Sequence, residues 1–309
     1  MTGCSKASLT EANLPDQSGK VFIVTGATSG YGLLISTFLY QANAKIYLAA
    51  RNTKKTAEVI ADLKQRFPNS KGQLESLQLN LSDLSTIKKS AEEFLSKESK
   101  LNVLWNNAGV MFPPEGAKTE QGWELQLGTN NLGPHLFTKI LYPTLAKTAK
   151  ESPADSVRIV WVSSDAAGWA PKPAIDFDNL DYHKNESARM KYGRSKAGTI
   201  LQAVEQGRRA QQDGVVSVTL DPGIANTGLQ RDMGWFMSTA VKLISNKPEV
   251  GAYTQLYAGL SPEVTADVTK TKWITPPGKI SSTRQDLFTD TDLAKKFWEW
   301  NEEQIRPYL

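Results

Sequence analysis

Lys20-Val-Phe-Ile-Val-Thr-Gly-Ala-Thr-Ser-Gly-Tyr-Gly-Leu-Leu-Ile-Ser-Thr-Phe-Leu-Tyr-Gln-Ala42 is the stretch whose reading decides the fold. Val21 to Val24 is a short, β-branched apolar run, as a strand buried on both faces requires. Thr25 to Gly32 is a glycine-rich turn. Leu33 to Ala42 has helical spacing, with Leu34, Phe38 and Leu39 on one face. A strand that passes through glycines into a helix N-terminus makes an anion site, because backbone N–H groups and the helix dipole converge there. Gly26 permits the tight turn, Gly30 leaves room for a pyrophosphate beside the backbone, and Gly32 lets helix and strand pack closely. The glycine spacing is G-x-x-x-G-x-G rather than G-x-G-x-x-G.

Outward from this unit, strands and helices alternate. The expected strands are Lys45 to Ala50, Leu74 to Leu79, Leu101 to Trp105, Val157 to Val162, Val215 to Leu220 and Lys272 to Thr275. Between them, helices are expected over Lys54 to Phe67, capped by Thr53, and over Leu84 to Lys97, capped by Ser82. Further helices are expected over Glu120 to Ala149, interrupted around Gly133-Pro134, over Arg189 to Gln212, and over Asp292 to Gln304. This alternation predicts an α/β fold: one Rossmann-type domain with a doubly wound parallel sheet of about seven strands. We divide the chain into a polar extension (1–18), the nucleotide-binding catalytic domain (19–285) and a C-terminal helical extension (286–309). Ligands of such sheets bind outside the carboxyl ends of the strands. The unusual residues gather at those ends: the glycine turn, Arg51, Asn80, Asn107, Ser164 and Pro222-Gly223.

Composition narrows the function. Lys and Arg total 36 against 32 Asp and Glu, a net charge of +4 with no basic run, so nucleic acid is not implied. A mildly positive chain suits a polyphosphate cofactor. The single cysteine, Cys4, rules out an internal disulfide framework and fits a reducing compartment. Residues 1–18 lack the apolar core of a signal peptide, and no apolar run reaches the roughly 18–20 residues of a membrane span. These features predict a cytoplasmic protein without stable membrane insertion. No His, Cys or carboxylate cluster has metal-ligand spacing, so no metal is expected. Homo-oligomerisation is left open.

With Tyr192-Gly-Arg-Ser-Lys196 the pattern becomes a resemblance. Tyr192 and Lys196, four apart, lie one turn apart on one helix face. A free tyrosine has a pKa of about 10. A neighbouring ammonium is expected to lower it and let the pair exchange a proton with a carbonyl or alcohol oxygen. Together with Thr25-Gly-Ala-Thr-Ser-Gly-Tyr-Gly32, Asn106-Asn-Ala-Gly109, Asn130, Ser164, and Pro222-Gly223 with Thr227, the pair resembles the short-chain dehydrogenase/reductase family over about residues 18 to 280. Ala50-Arg-Asn52, Asn80-Leu-Ser-Asp-Leu84 and Asp178-Asn-Leu180 are similar to the retinol-dehydrogenase-like and WW-domain-oxidoreductase-like branch. The membrane anchor and WW modules of those relatives are missing. The chain is more similar to soluble fungal members that act on secondary metabolites.

The resemblance implies roles for individual residues. Ser164 would hydrogen-bond the reacting oxygen, with Ser163 as the alternative register. Asn130 would support a water and the lysine, with Asn131 as its alternative. Cofactor contacts would come from Gly26, Thr28, Ser29, Gly30, Tyr31 and Gly32 in the turn. Leu81, Asn107, Ala108 and Gly109 would supply the adenosine side. Tyr192, Lys196, Pro222, Gly223, Ile224 and Thr227 would flank the nicotinamide side. Tyr31 stands where a small aliphatic residue is usual and either crowds or covers the pyrophosphate. Asn80 replaces a common Asp, and its amide oxygen can still accept from an adenine amino group.

Arg51 selects the cofactor. An acidic residue ending the second strand would hold the ribose 2′-OH of NAD, whereas an arginine pairs with a 2′-phosphate. Lys45 to Ala57 contains no Asp or Glu but holds Arg51, Lys54 and Lys55, so NADP(H) is expected, with Lys55 assisting. On the substrate side, Trp169, Phe177, Tyr182 and His183 lie between Ser164 and Tyr192. Asp232-Met-Gly-Trp-Phe-Met237 stands where the family carries its lid, and suits a pocket wall or an interface. The expected activity is transfer of a hydride between the nicotinamide and the carbonyl carbon of a small apolar molecule, with Tyr192 supplying the proton. The competing reading is a non-catalytic NADP(H)-binding regulator on the same fold.

Overall fold

The computed structural model describes residues 7–224 and 247–309. Among the described residues, eight strands form one sheet in the order β3-β2-β1-β4-β5-β6-β7-β8. They are β1 Val21–Thr25, β2 Lys45–Ala50, β3 Gln73–Gln78, β4 Val103–Asn106, β5 Val157–Val162, β6 Val215–Leu220, β7 Trp273–Thr275 and β8 Lys279–Ser281. The first seven are parallel; β8 returns antiparallel on β7 through Pro276-Pro277-Gly278. The sequence reading expects about seven strands and misses this three-residue edge strand, which is too short to carry a periodic signal.

Alternation within the strands sorts side chains to two faces. Val21 and Ile23 join one apolar cluster with Ile87, Phe94, Leu136 and Leu145. Phe22 and Val24 join the other with Ile35, Leu39, Leu256 and Val264. Central strands β1, β4, β5 and β6 are buried along their whole length, whereas edge strand β3 is buried only at Leu74 and Leu77.

Among the described residues, the helices are α1 Gly30–Gln41, α2 Thr53–Arg66, α3 Leu84–Lys97, α4 Leu125–Leu127, α5 Gly133–Lys150, α6 Ala188–Ala210, α7 Pro248–Leu260, α8 Ala266–Thr269, α9 Gln285–Thr289 and α10 Thr291–Ile305. Several boundaries correct the sequence reading. Asn52, not Thr53, caps α2 by accepting from the Lys55 N–H; Asp83, not Ser82, caps α3 by accepting from the Ser85 N–H. Gly133 and Pro134 do not interrupt a helix. They begin α5, and the irregularity lies one turn earlier, in the π-helical turn Gly128–Leu132. Helix α7 has no counterpart in the sequence reading. Its C-terminal end is held by buried Arg158 of β5, which donates to the Ala258 and Ser261 carbonyls at 2.9 and 2.7 Å, a cation where the helix dipole favours one.

Both ends of the described chain pack on this core. Leu9 and Leu14 lie against the α1 side, and α10 places Phe297 and Ile305 in buried clusters. Among the described residues, no helix is long and apolar enough to cross a membrane.

Candidate active site

The carboxyl ends of β1 to β6 surround a cavity of about 1220 Å³. One wall takes Thr28, Ser29 and Tyr31 from the glycine turn, Arg51 and Lys55 after β2, and Asn80 and Leu81 after β3. Ala108 and Gly109 follow from β4, and Ser164, Tyr192, Lys196, Pro222, Gly223 and Ile224 complete the far side. Most of the expected residues therefore meet in one place; Gly32 and Asn130 do not line the cavity. Thr227, expected at the cofactor, and residues 232–237, expected at the lid, lie outside the described residues.

The glycine turn brings bare backbone to the cavity. Gly26 has φ +69°, a conformation that bulkier residues rarely adopt. A Cβ on Gly32 would stand 2.6 Å from the Gly26 carbonyl oxygen and 2.7 Å from Asn107 Nδ2. Ser29 occupies the N-cap of α1 without a side-chain capping bond, and among the described residues no side chain takes the first-turn N–H groups. These features fit a dinucleotide pyrophosphate. Tyr31 leaves the turn sideways: its hydroxyl donates to the Gly223 carbonyl at 2.9 Å, and its ring packs on Gly251 of α7. It ties the β1 and β6 ends together rather than crowding the turn.

Asn107 and Asn80 have structural duties that the sequence does not reveal. Asn107 Nδ2 donates to the Thr25 carbonyl at 2.8 Å, and its Oδ1 accepts from Gln255 at 3.0 Å. The Asn107 and Ala108 N–H groups both reach Thr25 Oγ1. The side chain thus staples β4 to β1, at the switch point where the strand order reverses. Asn80 Oδ1, expected to accept from adenine, already accepts from the Ser82 N–H and hydroxyl at 3.3 and 2.8 Å. Only its amide nitrogen remains for a ligand.

At the end of β5, the two serines separate clearly. Ser163, 2% exposed, donates its hydroxyl to the Lys196 carbonyl at 2.8 Å. Ser164 caps the 3-10 turn Asp165–Trp169, its hydroxyl accepting from the Ala166 N–H at 3.2 Å, and it lines the cavity with Tyr192. Tyr192 is 4% exposed, and Lys196 Nζ lies 5.7 Å from its ring centroid. Lys196 donates to the Val162 carbonyl at 2.9 Å. Asn130 and Asn131 also separate. Asn130 accepts from the Val110 N–H and donates to the Val110 carbonyl and the Ser195 hydroxyl, so its amide groups hold the β4 loop to α6 rather than Lys196. Asn131 bonds the Ser195 carbonyl and Gln202 deeper inside.

The proton affinities depart from expectation. Burial, with the Asp221 carboxylate second, pushes the Tyr192 phenol above its ordinary value; Ser164 opposes this weakly. On balance the chain's own groups raise the tyrosine, whereas the one-turn spacing to Lys196 suggests a lowering. Burial also lowers Lys196 to about 8, against the pull of Asp221. Asp221 is a residue that sequence reasoning misses. It stands directly before Pro222-Gly223 and lines the cavity, and its Oδ1 accepts from the Gly223 N–H at 3.0 Å. Its place at a strand end is the available signal.

The loop between Ser164 and Tyr192 is pinned by Arg194. That side chain pairs bidentately with Glu186 at 2.7 Å and donates to the Pro173 and Ala174 carbonyls. Of the aromatics expected here, only Trp169 lines the cavity. Phe177 and Tyr182 pack on the cluster around α6 and α10, and His183 bonds Asp181 at the surface. Phe112, after β4, and Arg189, on α6, line the cavity and are absent from the sequence reading of the site. Arg189, Tyr192 and Lys196 follow i, i+3, i+7 spacing, which could have placed Arg189 on the reacting face.

Comparison with known proteins agrees with this arrangement. The short chain dehydrogenase family pattern matches residues 20–174. The chain is 74% identical over 309 residues to the short-chain dehydrogenase/reductase pkfC of Emericella nidulans, covering 99% of each. The chain belongs to the short-chain dehydrogenase/reductase family. A short-chain dehydrogenase/reductase of Phomopsis amygdali is 48% identical over 312 residues, covering 97% of this chain and 93% of that one. A solved protein from Mycobacterium paratuberculosis superposes with a TM-score of 0.73 at 27% identity, covering 96% and 97%. This chain is thus an oxidoreductase of that family, whose members use NAD(P)(H).

Proposed function

We propose that this chain is an NADP(H)-dependent oxidoreductase that interconverts a carbonyl and an alcohol on a small, mostly apolar molecule, a secondary metabolite. The observation that carries the reading is the meeting of Ser164, Tyr192 and Lys196 in the cavity that the glycine turn opens into. The resemblance to soluble fungal members supports the metabolite class, as a fold-level analogy.

The turn between β1 and α1 would hold the pyrophosphate. Arg51 and Lys55 would hold a 2′-phosphate, since the end of β2 offers cations and no carboxylate. The dinucleotide, when bound, supplies or accepts the hydride. Tyr192 holds its proton firmly and gives it to the carbonyl oxygen in the reducing direction. Ser164 donates to the same oxygen and shares its developing charge. Lys196, cationic below about pH 8, offsets the charge left on the phenol.

The experiment is oxidation of NADPH and of NADH over a panel of ketones, aldehydes and polyketide-like carbonyls. The reading expects turnover with a preference for NADPH. Cofactor binding without turnover on every carbonyl would favour a binding protein instead, and a preference for NADH would overturn the assignment to Arg51.

A further inference from the structure

We propose that Phe112, Trp169 and Arg189 are the substrate-selecting wall of this site, and that the substrate is a flat, conjugated carbonyl compound carrying an acidic group. The inference rests on Tyr192 being the proton donor, since the wall is built around that ring.

Phe112 has φ +51°, a backbone conformation that a bulky residue rarely adopts. Such strain persists where the surroundings fix it, and it collects at ligand sites. Here the Phe112 N–H donates to Gln126 Oε1 at 3.1 Å. Gln126 is 1% exposed and is itself held, donating to Glu124 Oε1 at 3.2 Å and the Ala188 carbonyl at 3.4 Å. The result is a ring aimed edge-on at Tyr192, with centroids 5.6 Å apart and planes at 64°. The same ring lies nearly parallel to Trp169, at 6.3 Å and 13°. Trp169 in turn sits 6.2 Å from Tyr192.

Trp169 is 39% exposed, so its indole is not there to fill a core. Phe112 and Trp169 stack on each other beside the proposed proton donor, and the exposed surface of this aromatic pair favours a flat π-system over a saturated ring. Arg189 adds charge. Its guanidinium lies over the indole, 4.6 Å from the ring centroid, and among the described residues no acceptor holds its N–H groups, which suits a carboxylate or phenolate. Among the described residues, the other cations lining the cavity have other places. Arg51 and Lys55 stand at the β2 end, and Lys196 is bonded to Val162. Asp165 and Asp221 also line the reacting end, so an anionic substrate depends on Arg189 to offset them.

The test uses three probes: 2-naphthoate, its methyl ester, and decahydro-2-naphthoate. Calorimetric titration of the full-length protein, with and without NADP+, reads planarity and charge separately. The wild type should bind 2-naphthoate at least tenfold more tightly than either comparison probe. Arg189→Gln should bring the acid to the affinity of the ester while leaving the ester unchanged. Phe112→Leu and Trp169→Leu should remove the preference for the planar acid over the saturated one. Equal binding of the three probes, no binding of any, or variants that keep the wild-type ratios would overturn the proposal. A protein that discriminates among the probes but oxidises NADPH with no carbonyl would instead count against the proposed reaction.

Discussion

Tyr192 and Lys196 are moved in opposite directions by the same cause. Burial disfavours the phenolate and disfavours the ammonium, so the tyrosine keeps its proton while the lysine titrates at about 8. Lys196 is charged below that pH and neutral above it. Carbonyl reduction should therefore hold steady on the acid side and fall as pH rises through about 8, which a kcat profile measures. A profile that rises through this range would contradict the assignment. Arg51 carries a second prediction. Arg51→Asp places a carboxylate where the 2′-phosphate would sit, so NADPH should bind more than tenfold more weakly and NADH no worse; paired titrations decide it. At this scale the sequence exposes residues of distinctive type at strand ends, such as Arg51 and Ser164. It does not expose Phe112, whose signal is a backbone dihedral fixed by Gln126 from another segment. Nor does it show that Asn80 Oδ1 is taken by Ser82, because an Asx turn and a ligand contact draw on the same residue type.

Elements meet at the site through contacts with little tolerance. The α1 N-terminus approaches β1 and β4 so closely that a methyl group on Gly32 would strike the Gly26 carbonyl and the Asn107 amide. Gly32→Ala should cost about 1–3 kcal/mol of stability, as overpacking does. It should also weaken dinucleotide binding more than tenfold, and thermal melts with and without NADP(H) read both effects. A second prediction joins α5 to α10. His135 Nε2 bonds Glu302 at 2.9 Å, Lys139 bonds the same carboxylate at 2.7 Å, and Trp298 packs against the imidazole. Burial lowers the His135 pKa below 6.5 despite Glu302. The unfolded chain takes up that proton first as pH falls. Stability should then decline below about pH 6.5 with a slope of at most about 1.4 kcal/mol per pH unit, and His135→Gln should flatten it in denaturant titrations. Helix positions are legible from apolar spacing, whereas caps are misassigned by one residue where two capping residue types stand side by side. The π-helical turn at Gly128–Leu132 leaves no periodic trace to read.

Across the whole molecule, the parallel order of β1 to β7 brings six strand ends to one cavity, so that residues far apart in sequence converge. That convergence is legible because the central parallel strands are mostly apolar runs, each followed by a polar or glycine residue. Strand β8 and helix α7 are not legible. The former has three residues, and the latter is apolar on more than one side, with buried Gly251, Ala252, Leu256 and Tyr257 lying among buried polar positions. The central claim is that this convergence builds a carbonyl-reducing site with Tyr192 as its acid. Tyr192→Phe tests it most directly, because the ring remains and only the hydroxyl is lost. Turnover and NADPH affinity should be measured on the same preparation, with a carbonyl that the wild type reduces. The account predicts a loss of roughly 10²–10⁴ in turnover with NADPH affinity nearly unchanged. A variant that reduces the carbonyl at close to the wild-type rate would contradict it.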